Sequence, residues 1–245
     1  MDPFSLAKKK ILVTGASSGI GKSIAQQITK HKGTVIITGR DKVRLDETFD
    51  SLKGVNNVSL TADLRNLEDI NKLVDNLENL DGVVFCAGVT DIGIQAKMIT
   101  ENQIDEIFNT NFRSQIILYQ HLHKKRKINK GASLLFISSI TALSAIPTTL
   151  TYAASKAAIT CSVRILASEL SKYSIRVNSI SPGLIRTPLL NDMDEESFRN
   201  LGEKYPLGLG EPKDVANSSI FLLSDASKWI TGIDLIVDGG YILKT

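Results

Sequence analysis

The chain has 245 residues, 42% of them apolar and 22% charged, with a formal net charge of +3. This is the composition of an ordinary soluble globular protein with enough apolar residues for a sizeable core. It excludes a strongly basic nucleic-acid binder, and no apolar run approaches the roughly eighteen residues of a membrane span.

In chain order, the opening MDPFSLAKKK puts its basic residues after a short apolar stretch, the reverse of a secretory leader, so none is expected. KILVT, 10–14, reads as the first strand. It runs into Gly15, Gly19 and Gly21, spaced G-x-x-x-G-x-G, ahead of a helical pattern near 20–32. Glycines there let backbone N–H groups and a helix N-terminus approach a pyrophosphate without obstruction. A glycine triplet alone is also an ordinary βα turn; its place directly after the first strand points to a dinucleotide. TVIIT, 34–38, is the second strand. It ends at Gly39 and Arg40, and Asp41 reads as the cap of a helix near 41–51.

Further strands are expected at 57–62, 82–87, 133–138, 175–181 and 234–239. They are almost continuously apolar, as strands covered on both faces are. Helical patterns near 66–78, 101–125, 152–172 and 212–223 alternate with them. The alternation predicts a parallel sheet with helices on both faces, and the absence of a linker predicts one domain over 1–245. Two cysteines, Cys86 and Cys161, make no disulfide framework in so long a chain, so a reducing, cytoplasmic compartment is expected. Cys86 reads as a small buried hydrophobe. His121 and His123 lie two apart on a helix and face different sides, and no metal site is expected. The least regular stretch, about 183–210, has the length of a binding loop or lid. Its acidic run NDMDEES, 191–197, reads as a solvated helix start.

YAASK, 152–156, sets Tyr152 and Lys156 four residues apart on one helix face. A free phenol with a pKa near 10 is a poor acid. An ammonium about 4 Å away favours the phenolate by roughly 4 kcal/mol at an effective dielectric near 20, an upper bound. Ser139 ends the fifth strand, where ligands of open α/β sheets bind. Alternation along the strand points Ser138 the other way.

The glycine loop, CAG at 86–88, Asn111, Ser139, YAASK and SPG at 181–183 together resemble the short-chain dehydrogenase/reductase family, from about residue 8 to residue 241. The resemblance implies a Rossmann-like, doubly wound, mostly parallel seven-stranded sheet and hydride transfer between a nicotinamide and a carbonyl or alcohol. It implies Tyr152 as general acid/base, Lys156 as its tuner and ribose anchor, Ser139 as hydrogen-bond donor to the substrate oxygen, and Asn111 as holder of a relay water. It assigns cofactor contacts to Gly15, Ser17, Ser18, Gly19, Ile20 and Gly21, to Arg40, Asp63 and Leu64, and to Ala87 and Gly88. Tyr152, Lys156, Pro182, Gly183, Ile185 and Thr187 complete that set. Cys86 stands where the family usually has asparagine. NAD-preferring relatives end the second strand with an acid; Gly39 followed by Arg40 predicts NADP(H) instead. Among the resemblances, 3-oxoacyl-(acyl-carrier-protein) reductases of fatty acid biosynthesis fit best, with reductases of a sugar, a steroid or another small alcohol as the alternative, and a non-catalytic cofactor-sensing protein on the same fold as a further one. They imply a homotetramer and a carrier-protein partner. The basic run HLHKKRKINK, 121–130, is then either a solvated helix end or, with Lys130 and Lys172, a docking patch for the acidic carrier.

Overall fold

The computed structural model describes residues 2–188 and 195–244. Seven strands form one sheet: β1 (Lys10–Thr14), β2 (Thr34–Gly39), β3 (Val58–Thr61), β4 (Leu80–Phe85), β5 (Ile128–Ile137), β6 (Arg176–Pro182) and β7 (Asp234–Val237). Their order is β3-β2-β1-β4-β5-β6-β7, and every pairing is parallel. The sheet is thus parallel throughout among the described strands.

Successive side chains of each strand serve opposite faces. Leu12, Phe85, Leu134, Phe136 and Val177 pack one way, beneath α3 (Leu67–Asp75), α5 (Ser114–Lys124) and α6 (Leu150–Leu170). Ile11, Val13, Val84, Leu135 and Ile180 pack the other way, against α1 (Gly19–Lys30) and α8 (Pro212–Leu223). Two-sided burial explains why the central strands carry unbroken apolar runs, whereas the edge strands β3 and β7 are only partly covered. Stacked Phe85 and Phe136, with ring centroids 4.2 Å apart, sit at the centre of the first face.

Helix α6 is the longest element. Lys156, Ile159, Val163, Leu166 and Leu170 recur at three- and four-residue spacing and are buried, so this stripe faces the sheet. Helix α2 (Lys42–Asp50) starts at Asp41, whose carboxylate accepts from the Arg44 N–H at 3.1 Å, the cap expected there.

Three boundaries differ from the pattern in the sequence. Strand β5 begins at Ile128, because a register shift opposite Leu80 and Gly82 adds an irregular first half in which Gly131 takes φ +81°. The span 101–125 is not one helix: α4 (Glu101–Phe108) and α5 are joined by a π turn, Asn109–Arg113. The irregular stretch 183–210 contains a helix, α7 (Glu195–Gly202), while residues 191–194 of the acidic run lie outside the described residues.

Candidate active site

Strand order reverses direction between β1 and β4, and a crevice opens at the carboxyl ends of the strands there, as it does in sheets of this kind. It is a cleft of about 550 Å³. The loop from β1 to α1 forms its floor. Gly15 takes φ +64°, and a Cβ on it would lie 2.7 Å from the Ala87 Cα. A Cβ on Gly21 would lie 2.3 Å from the Gly15 carbonyl oxygen. Backbone against backbone cannot yield, so both glycines are required by close approach. From below, Thr14 Oγ1 accepts the N–H groups of Cys86 and Ala87 at 3.0 and 3.1 Å, and Gln115 donates to the Ala87 carbonyl at 2.8 Å. These bonds hold the 86–88 turn against the glycine loop. The cradle leaves backbone and a helix N-terminus bare, which fits a dinucleotide pyrophosphate.

At the middle of the cleft, α6 brings Tyr152 and Lys156 to Ser139. The Ser139 hydroxyl lies close enough to the Tyr152 phenol to act on its protonation. Ser139 does not end the strand but caps the short 3-10 turn after it, accepting from the Thr141 N–H at 3.2 Å. Ser138 points away, its hydroxyl donating to the Lys156 carbonyl at 3.1 Å. Lys156 is buried, its Nζ donating to the Ile137 carbonyl at 2.9 Å and lying 5.7 Å from the Tyr152 ring centroid.

Burial governs the protonation of this group. It pushes Tyr152 up to about 12, with the Ser139 bond pulling the other way. It pulls Lys156 down to about 8. The expectation from the sequence that the ammonium lowers the phenol is not met here: Ser139, not Lys156, opposes the effect of burial. Cys86, pushed up to about 12 by burial, is a thiol rather than a thiolate. It packs against the α1–α8 core, as a small hydrophobe would.

Asn111 sits behind the cleft wall instead of in it. Its carboxamide accepts from the Val89 N–H at 2.8 Å and donates to the Val89 carbonyl at 2.9 Å and to Ser155 Oγ at 3.1 Å. The π turn aims this side chain inward, a common use of such turns at functional sites. Every other residue expected at the site lines the cleft: the six of the glycine loop, Arg40, Asp63, Leu64, Ala87, Gly88, Ser139, Tyr152, Lys156, Pro182, Gly183, Ile185 and Thr187.

Two further arginines line the end of the cleft beyond β2 and β3. Arg44 pairs with Asp41 at 2.6 Å, and Arg65 holds Asp63 through two nitrogens, Nη2 at 2.7 Å. The Arg65 hydrogen bond keeps Asp63 below the usual carboxylate range. Arg40, exposed, makes no hydrogen bond or ion pair among the described residues that would occupy its guanidinium. Arg40 acts on Asp63 only through space, so its guanidinium stays free of direct pairing among the described residues. Arg44 and Arg65 escape sequence reading because each looks like a helix-start or loop charge. Tyr205 and Tyr241 escape it because they reach the cleft from distant segments.

The family model described as enoyl-(acyl carrier protein) reductase matches residues 15–242. The 3-oxoacyl-[acyl-carrier-protein] reductase FabG of Rickettsia bellii (strain RML369-C) is 34% identical over 239 residues, 97% of this chain and 98% of that one. A glucose and ribitol dehydrogenase homolog of Oryza sativa subsp. japonica is 31% identical, over 98% of this chain and 87% of that one. A crystal structure from Beutenbergia cavernae, ascribed to an NAD(P)-dependent gluconate 5-dehydrogenase and holding NADP at low occupancy, superposes with a TM-score of 0.88. It is 29% identical, with 98% and 99% of the two chains covered. With the fold, the glycine cradle and the extent of these matches in hand, the chain belongs to the short-chain dehydrogenase/reductase family of oxidoreductases.

Proposed function

We propose that this enzyme uses NADPH to reduce a 3-oxoacyl thioester, carried on acyl carrier protein, to the 3-hydroxyacyl form. A bound nicotinamide supplies the hydride. The chain's own part is proton delivery. Tyr152, neutral at physiological pH and beside Ser139, is the general acid toward the substrate oxygen. Ser139 donates a hydrogen bond as negative charge develops on that oxygen. Lys156 holds the ribose and passes a proton inward, with Asn111 as the buried residue that fixes the neighbouring backbone.

The observation that carries the choice of substrate is the lining of the cleft beyond Tyr152. Ile92, Ile140, Ile146, Pro147, Leu201 and Tyr241 are among its walls, and among the described residues it holds no charged side chain other than Lys156. A neutral acyl thioester suits such walls. A sugar acid finds no cation there but Lys156, which this reading assigns to the ribose, so its carboxylate would sit unpaired in an apolar cleft. The test is NADPH oxidation measured in parallel with a small 3-oxoacyl thioester and with a keto-sugar acid. Turnover of the sugar acid alone would sink this reading.

The exposed Arg40 guanidinium, free of direct hydrogen bonds among the described residues, supports NADP over NAD, because only the former has a 2′-phosphate to receive it. Arg40→Ala is expected to weaken NADPH binding by about tenfold or more while NADH binding changes little. Equal losses for the two cofactors would contradict the assignment.

A further inference from the structure

The loop from Pro182 to Thr187 passes along the cleft and carries Ile185 and Thr187. It is pinned at four points. The Gly183 N–H donates to the Val237 carbonyl at 2.9 Å, the Arg186 N–H to the Gly210 carbonyl at 3.0 Å, and the Gly210 N–H to the Leu184 carbonyl at 3.2 Å. The fourth is different in kind: the Leu184 N–H donates to the phenolic oxygen of Tyr205 at 3.0 Å. It is the one pin of the four supplied by a side chain.

Tyr205 is placed for that role by two other segments. It lies just after α7, its own N–H bonded to the Gly202 carbonyl at 3.0 Å. Its ring is 92% buried, being 8% exposed. One face lies against Gly183, where an added Cβ would come within 2.9 Å of the ring. The Tyr241 ring stands 4.8 Å away, centroid to centroid. Tyr241 is held in turn by a tight turn in which Asp238 accepts the N–H groups of Gly240 and Ile242, both at 2.9 Å. The turn is fastened to the segment after Tyr205 through the Leu207 N–H and the Gly239 carbonyl at 3.1 Å. A phenol braced on this many sides has little rotamer freedom left, so its oxygen is a fixed acceptor.

We propose that Tyr205 is a positioning residue for the cofactor loop: its hydroxyl fixes the Leu184 amide, and through it the placement of Ile185 and Thr187 toward the nicotinamide. The Tyr241 turn is the brace that keeps it in place. The inference rests on the nicotinamide reading of this loop given above. The energetics follow from where the Leu184 N–H can find another partner. Without the cofactor, a freed loop can turn that donor to water. With the cofactor held, the loop must return and the donor is buried unpaired. The cost therefore falls on binding.

The experiment compares Tyr205→Phe with the unmodified protein, titrating NADPH by fluorescence and measuring steady-state kinetics and thermal melting alongside. Loss of the hydroxyl alone is expected to raise the NADPH dissociation constant and KM by about five- to tenfold. Because the Ser139–Tyr152 pair is untouched, kcat is expected to stay within about threefold. A purely structural tyrosine would lower the melting temperature and leave cofactor affinity where it was. An NADPH dissociation constant within about twofold of the unmodified protein overturns the inference, as does a fall in kcat at unchanged affinity. Tyr205→Met, which fills much of the ring's space without an acceptor oxygen, carries the same test if the phenylalanine variant does not fold. If the unmodified protein itself binds neither NADPH nor NADH, the cofactor reading fails and this inference with it. If it binds and the variants bind equally well, only this inference fails.

Discussion

Burial moves the two ionisable groups on the same face of α6 in opposite directions, and both shifts favour the neutral form. For Tyr152 this preserves the proton that reduction requires. Tyr152→Phe keeps the ring and removes the proton, so turnover is expected to fall by at least about a hundredfold while NADPH affinity is retained. Near-normal steady-state rates in that variant would contradict the assignment. For Lys156 the shift bears on stability. A lysine in the unfolded chain titrates near its ordinary value of 10.5, and in the fold Lys156 loses its proton at about 8. Between these values the unfolded chain binds more protons, so stability rises as pH passes upward through 8. Cys86 and the buried tyrosines act in the opposite sense, but only once their unfolded forms ionise, from 9.0 upward. From about pH 7 to 8.5, the cofactor-free protein is therefore expected to gain melting temperature relative to Lys156→Met. A parallel pH dependence of the two proteins would show that the lysine is not so displaced. The i, i+4 spacing was legible in the sequence. The burial that sets both pKa values was not, because it depends on β5 and the 86–88 turn closing over the helix.

Among the elements, the strands are where sequence reading and structure agree best, because two-sided burial writes an unbroken apolar run. The misses have physical causes of a different kind. The π turn at Asn109–Arg113 adds a residue to a helix whose apolar periodicity barely changes, and what selects it is the demand of the Val89 backbone for the Asn111 carboxamide. The early start of β5 depends on pairing with Leu80 across a register shift, which no local pattern in INKG announces. The glycine loop was readable because its requirement is local and steric. Gly21→Ala sets a methyl carbon against the Gly15 carbonyl at 2.3 Å, and neither backbone can move without displacing β1 or α1. The variant is expected to lose about 1–3 kcal/mol in urea denaturation, together with most of its NADPH binding. An unchanged denaturation midpoint would mean that the turn accommodates the methyl group without strain.

Across the whole molecule, the sequence spoke least about surfaces. No helix among the described residues is long and apolar enough to cross a membrane. Yet Leu150 and Ile165 on α6, and Trp229 and Ile236 near the last strand, are exposed. The tetramer that the resemblance implies would find apolar faces for further copies here. The basic run also divides once its partners are seen. Lys125 pairs with Asp75 and Lys127 with the Leu77 carbonyl, so these two tie α5 to its neighbours. Lys130 and Lys172 are exposed.

The length of α6 has a consequence for how a tethered substrate would travel. Tyr152 lies in its first turn and Lys172 just past its last, about 30 Å away at roughly 1.5 Å per residue. Lys130, near the start of β5, is likewise a strand's length from Ser139 at the other end. A carrier seated on these lysines is therefore remote from the reaction centre of its own chain. Two copies packed with α6 antiparallel bring the basic end of one beside the tyrosine end of the other. In the tetramer that the resemblance implies, packed in this way and with the carrier as partner, one chain would grip the cargo that its neighbour reduces. Specific activity on a carrier-linked substrate is expected to collapse on dilution below the association threshold, and Lys130→Glu with Lys172→Glu to raise KM for that substrate in a salt-dependent way. A small thioester, which needs no grip, is expected to escape the lysine effect. Mixing the charge-reversed variant with Tyr152→Phe decides the matter: two individually crippled chains should recover carrier-linked turnover together, and failure to complement would place grip and chemistry on the same chain.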